Sequence, residues 1–126
     1  MFFPAVCYAE DWIEKKSVDR MDRFTQFAIA ASAQAMKDAG LDVFRFDPVR
    51  AGIIVGSGIG GIATMEESHR KLLEKGPRSV NPFLVSRFLI NMAACNVSIL
   101  YGLKGPLSAP SVACSTGANA IASTVR

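Results

Sequence analysis

The 126 residues carry 14 Lys and Arg against 11 Asp and Glu, a formal charge of +3, and half of them are hydrophobic. That length holds one domain at most, its balance suits a globular interior, and so modest a charge offers no basic arm or stripe for nucleic acid. Three cysteines, odd in number and irregularly spaced, argue for reduced thiols over a disulfide framework, and one histidine without a Cys-x-x-Cys leaves no zinc site.

Residues 1–16 show no clear period, and the apolar start meets Glu10 and Asp11 with no basic segment before it, which makes a poor signal peptide. No apolar run approaches spanning length, so no membrane partner is expected. Residues 20–40 read as the clearest helix: Met21, Phe24, Ala28, Ala31 and Ala35 recur at helical spacing, and Phe27 and Ile29 widen the apolar face. Asp19 is placed to cap its start and Gly40 to end it.

Residues 41–50 form a loop turned by Asp47-Pro48, and residues 51–55 a short buried strand of the kind found in sheets covered on both faces. Gly56, Gly58 and Gly61 then satisfy Gly-x-Gly-x-x-Gly between a strand and a helix, the context in which dinucleotide-binding folds seat a pyrophosphate. The acidic residue that such folds carry about twenty positions later is missing, and Asn81 stands there in a loop. Residues 62–75 read as a charged helix closed by Gly76-Pro77, on which His69 lies among Glu, Ser, Arg and Lys as a surface residue. A loop with Arg78 follows over 76–82, then an apolar run over 83–90 and a helix over 91–101 closed by Gly102.

The run 107–113 reads as a strand, in which Pro110 cannot donate to a ladder and so marks a bulge or an unpaired edge. Small residues from Ser115 to Ala120 then allow a sharp turn into a helix, which puts the Cys114 thiol at a helix N-terminus. Unpaired N–H groups and the helix dipole favour an anion there, and a thiol so placed can have its pKa lowered until thiolate, the nucleophile, is available. On the residues alone, a cysteine between alanine and serine is more often a small buried hydrophobe, inert and chosen for packing, and that reading is the favoured one.

The segment 112–121, Val-Ala-Cys-Ser-Thr-Gly-Ala-Asn-Ala-Ile, resembles the active-site segment of the β-ketoacyl-acyl carrier protein synthases, condensing enzymes of the thiolase-like fold. The likeness runs from about residue 12 to residue 126 through Met-Asp-Arg-Phe (21–24), Gly-Ser-Gly-Ile-Gly-Gly (56–61), Glu-Lys-Gly-Pro-Arg (74–78), Ile-Asn-Met-Ala-Ala (90–94) and Tyr-Gly-Leu-Lys-Gly-Pro (101–106). It implies a layered α/β/α fold, a mixed sheet with helices on both faces, of which residues 1–126 form a partial N-terminal half without its first strand.

The resemblance implies an acyltransferase of fatty-acid elongation. Cys114 would take an acyl group from an acyl carrier protein as a thioester, with its own backbone N–H stabilising the oxyanion. Malonyl carrier protein would then lose carbon dioxide, and its carbanion would attack the acyl-enzyme to give a 3-oxoacyl product. The family stabilises the enolate with two histidines which, with a nearby lysine, lie in its C-terminal half, so a chain of these residues alone is expected to be catalytically inactive. Neither a cofactor nor a metal is implied.

By position, Ile59 matches a residue lining the acyl pocket, and Leu84 and Val85 match a segment near the dimer interface that lines the partner's tunnel. Lys16, Arg20 and Arg78 match basic residues that meet the acidic carrier protein. A homodimer would form through the strand over 107–112, next to its symmetry mate. Two departures occur: Cys95 stands where the family has a glycine, with strain as the expected result, and Asn96 follows it. Such enzymes occur in the bacterial cytoplasm, in plastids and in mitochondria. Three alternatives stay open: a polyketide-type ketosynthase, a silent dimerisation subunit (such subunits generally replace the nucleophile that Cys114 retains), and a dinucleotide-binding module.

Overall fold

A computed structural model describes residues 11–42 and 45–124; the readings made of Cys7 and of the first ten residues fall outside them. The first α-helices among the described residues are a single turn, α1 (Lys15–Val18), and the long helix α2 (Arg23–Asp38). Asp22, not Asp19, caps α2: its carboxylate accepts the Phe24 N–H at 3.3 Å. Asp19 is used in closing α1, where its N–H reaches the Lys15 carbonyl, and the turns that follow delay the next free amides to residues 23 and 24. The other end of α2 is as expected. Gly40, at φ +61°, donates to the Lys37 carbonyl, and Leu41 reaches back to that of Met36, the paired bonds of a left-handed helix stop.

The buried face of α2 is rotated from the one its apolar residues suggest. Thr25, Gln26, Ile29 and Ala30 are inside, whereas Ala31 and Ala35 are exposed and Phe27 is 38% exposed beneath the Arg23 guanidinium. Local acceptors explain how a glutamine displaces an alanine: the Gln26 amide donates to the Val18 and Met21 carbonyls at 3.2 and 3.4 Å, which cancels most of the cost of burying it. Ile29 can then meet Val97 and Ile13 in the central cluster, with Val18, Met21, Ala28, Ile53 and Tyr101 packed around it.

Two short parallel strands, β1 (Ile53–Ile54) and β2 (Leu107–Ser108), pair with Ile53 opposite Leu107. A parallel pair needs a long crossover. Here it contains α3 (Ile62–Lys75), α4 (Leu84–Phe88) and α5 (Met92–Tyr101), so the apolar run 83–90 is largely a short helix. α5 packs on both strands and α2 packs on α5, which makes the arrangement a layered α/β one. Continuous through Cys95 and Asn96, α5 holds Cys95 half-buried, its N–H on the Asn91 carbonyl at 2.9 Å. Gly102 closes that helix at φ +65°.

β2 is much shorter than the run 107–113, and Pro110 supplies the reason. The N–H groups of Ile53, Val55 and Ser57 donate to the carbonyls of Pro106, Ser108 and Pro110 at 2.9, 3.2 and 3.3 Å. Pro110 has no N–H to return, so pairing beyond Ser108 becomes one-sided and ladder geometry ends. Among the described residues no helix is long and apolar enough to cross a membrane.

Candidate active site

Past β2 the chain enters a 3-10 turn, Ala113–Ser115, and then helix α6 (Thr116–Ser123). Ala113 has φ +46°, a left-handed conformation that costs a residue with a Cβ about 1–2 kcal/mol, and no other non-glycine among the described residues has positive φ. Hydrogen bonds converge to hold it. The buried Thr116 hydroxyl accepts the Val112 N–H and donates to the Ala113 carbonyl, both at 2.8 Å. Ser115 donates its hydroxyl and its N–H to the Val112 carbonyl at 2.8 and 3.1 Å. Cys114 sits on the crest of this turn, exposed. Its N–H lies where a helix start provides no internal acceptor, and the positive end of α6 follows at once.

The glycine motif lies against that turn. A Cβ at Gly56 would fall 2.4 Å from the Thr116 methyl and 3.0 Å from the Pro110 carbonyl oxygen, and one at Gly58 would meet the Ala113 carbonyl at 3.6 Å. Ser111 also donates its hydroxyl to the Gly58 carbonyl at 3.2 Å. At the motif's far end, Gly61 donates to the Phe88 carbonyl at 3.0 Å, and its missing Cβ would fall 2.7 Å from the Arg87 carbonyl and 2.8 Å from the Asp22 carboxylate. Protein oxygens, one of them on a carboxylate, thus crowd the start of α3 where a dinucleotide fold would hold pyrophosphate. The glycines serve close backbone approach, and this overturns the nucleotide reading of their spacing.

The remaining candidates scatter. Ile59 is 63% exposed and adjoins Gly58, so it shares the neighbourhood of Cys114. Leu84 is half-buried in an apolar cleft of about 540 Å³ with Ile62, Met65, Leu72 and Val80, while Val85 is exposed. Their helix α4 touches the glycine motif through its end, at Arg87 and Phe88, so Leu84 and Val85 join the Cys114 turn only indirectly. Lys16 and Arg20 are exposed near α1, where the Arg20 guanidinium lies 5.8 Å from the Phe83 ring centroid. Arg20 and Phe83 border a cleft of about 600 Å³ with Trp12, Met21, Met92 and Leu100. Arg78 is exposed on the turn Pro77–Ser79, and His69 is exposed on α3. Sequence reasoning missed Thr116 and the strain at Ala113. The available signal was a strand-to-helix turn with no glycine between Ser111 and Thr116, and a hydroxyl two positions past the candidate nucleophile, able to bond back.

Residues 8–126 match the family described as Beta-ketoacyl synthase, N-terminal domain. The chain is 51% identical over 112 residues to 3-oxoacyl-(acyl-carrier-protein) synthase 2 of Staphylococcus aureus, covering 89% of this chain and 28% of that protein. It is 46% identical over 117 residues to the enzyme of the same name from Vibrio cholerae, covering 93% and 28%. The chain therefore spans less than a third of the length of these curated relatives. Its fold matches a solved type II polyketide ketosynthase in complex with its acyl-carrier protein, with a TM-score of 0.86 at 24% identity, over 96% of this chain and 35% of that one.

Proposed function

We propose, from the premise that this chain belongs to the β-ketoacyl synthase N-terminal domain family, that it forms part of an enzyme like the 3-oxoacyl-acyl-carrier-protein synthases it resembles. In this reading residues 1–126 contribute part of one ketoacyl-synthase domain. The thiolate of Cys114 attacks the carbonyl carbon of an acyl carrier thioester, the carrier leaves as a thiolate that takes up the proton Cys114 lost on ionising, and the acyl group remains on the Cys114 sulfur. The Cys114 N–H, without a helical acceptor, is one donor to the oxyanion of the tetrahedral intermediate. Malonyl carrier protein then loses carbon dioxide, the resulting carbanion attacks the acyl carbonyl carbon to form the new carbon–carbon bond, and Cys114 leaves as thiolate.

The observation that carries this reading is the thiol on a strained strand-to-helix turn, held by bonds that do not involve the sulfur. An inert packing cysteine needs no such strain. Ile59, beside Gly58, begins the acyl pocket in this scheme, and Leu84 and Val85 serve the pocket of a second copy. That copy pairs along the outer edge of β2. The carbonyls of Pro106, Ser108 and Pro110 face β1, so strand alternation turns the backbone groups of Leu107 and Ala109 the other way. Lys16, Arg20 and Arg78 meet the acidic carrier protein.

Incubation of the complete enzyme that contains these residues with carrier protein charged with a medium-chain acyl thioester, followed by peptide mass spectrometry, tests the first half-reaction. The acyl mass is expected on Cys114 and is expected to vanish in Cys114→Ala. An adduct on Cys95 instead, or none at all, overturns the assignment.

A further inference from the structure

We propose that Thr116 is a positioning residue for the Cys114 thiol, its hydroxyl pinning the left-handed Ala113 that presents the sulfur; this rests on the reading of Cys114 as nucleophile. Three observations carry the inference. Ala113 adopts φ +46° with no glycine to make that conformation easy. The Thr116 hydroxyl bonds the backbone on both sides of the strained peptide, taking the Val112 N–H and giving its proton to the Ala113 carbonyl, each at 2.8 Å. The residue is 5% exposed, and its methyl fills the space that Gly56 leaves vacant, 2.4 Å from where a Cβ would stand there.

The two ends of the side chain divide the work. The methyl seats α6 on the glycine loop, and the hydroxyl sets the peptide immediately before the nucleophile. Without the hydroxyl, Ala113 has nothing in this side chain to hold it left-handed. Relaxation of one peptide swings both the Cys114 side chain and its N–H, which a reaction at that sulfur needs in register. Thr116 touches no substrate in this scheme and acts only through the turn.

The test compares Thr116→Val, which keeps the shape and loses both bonds, with Thr116→Ser, which keeps the bonds and loses the methyl. Iodoacetamide is added to the full chain, and alkylation of Cys114 and Cys95 is followed separately by peptide mass spectrometry. We expect Cys114 to react roughly tenfold or more slowly in Thr116→Val and within about twofold of wild type in Thr116→Ser, with Cys95 unchanged in both. Wild-type rates at Cys114 in Thr116→Val overturn the inference and leave the nucleophile reading standing. So does a change at Cys95 in step with Cys114, which marks a general structural role. Wild-type Cys114 reacting no faster than Cys95 overturns the nucleophile reading and this inference with it.

Discussion

Across 42 positions of sequence, the Thr64 hydroxyl donates to the buried carboxylate of Asp22. One carboxylate therefore caps α2 through Phe24 and ties it to the first turn of α3. Asp22→Ala loses the cap, worth about 1 kcal/mol, and leaves the Thr64 hydroxyl buried without its partner, worth about 1–3 kcal/mol. A loss of roughly 2–4 kcal/mol is expected in urea unfolding. Thr64→Val, which removes the hydroxyl and keeps the cap, should cost less. Equal losses in the two variants would show that the cap contributes nothing.

The glycines separate into two groups by what surrounds them. At Gly56 a methyl group would collide with the Thr116 methyl and the Pro110 carbonyl, whereas at Gly117, inside α6, nothing lies within 4 Å. Gly56→Ala should therefore destabilise by about 1–3 kcal/mol through overpacking. Gly117→Ala should stabilise by roughly 0.5–1 kcal/mol, because alanine loses less backbone entropy in a helix. The same unfolding series reads both signs, and a stabilising Gly56→Ala would contradict the close packing of the loop on the Cys114 turn.

Local periodicity and punctuation made much of this architecture legible. The helix over 62–75 has the bounds read from its pattern, and Gly40 and Gly102 end their helices in left-handed geometry. The rest depended on partners that pattern alone does not name. The inward face of α2 was set in part by carbonyls at Val18 and Met21 that satisfy Gln26, so counting apolar residues placed Ile29, Met21 and Ala28 correctly but turned Ala31 and Ala35 inward by mistake. Phe27 found an arginine above its ring and stayed partly outside. For the candidate site, the position of Cys114 at a turn before a helix was readable from small residues following a strand. The left-handed Ala113 was only partly so: the Thr116 hydroxyl that bonds back lay in view, but the glycine loop packed on the turn is more than fifty residues away in the chain.

Charge at the rim follows from the carrier-protein proposal. Lys16, Arg20 and Arg78 are exposed, and reversing all three to Glu should weaken binding of an acidic carrier protein by an order of magnitude, roughly, and flatten its dependence on salt. Titration calorimetry at two ionic strengths checks both. Arg20 has a second attachment, the Phe83 ring, so Arg20→Gln is the proper control for losing that contact without adding repulsion. Unchanged affinity in the triple variant would remove these residues from the carrier site.

Tyr101 gives the alkaline side of the stability profile. It packs against the Ile13, Ile29 and Val97 cluster at the end of α5, and burial raises its phenol above the ordinary value of 10.0. Its proton is thus held more tightly in the folded chain than in the unfolded one. Below the unfolded value both states are neutral, and the contribution is fully present. As the pH rises through 10.0, the unfolded state ionises first, and stability falls until the folded phenol also titrates. Tyr101→Phe cannot ionise, so between about pH 9 and pH 11 its stability should fall less steeply than that of wild type. Every other group is common to both proteins and cancels in the difference. Denaturant midpoints taken at half-unit pH steps give the two slopes, and parallel slopes would mean that the folded state ionises Tyr101 as easily as the unfolded one does.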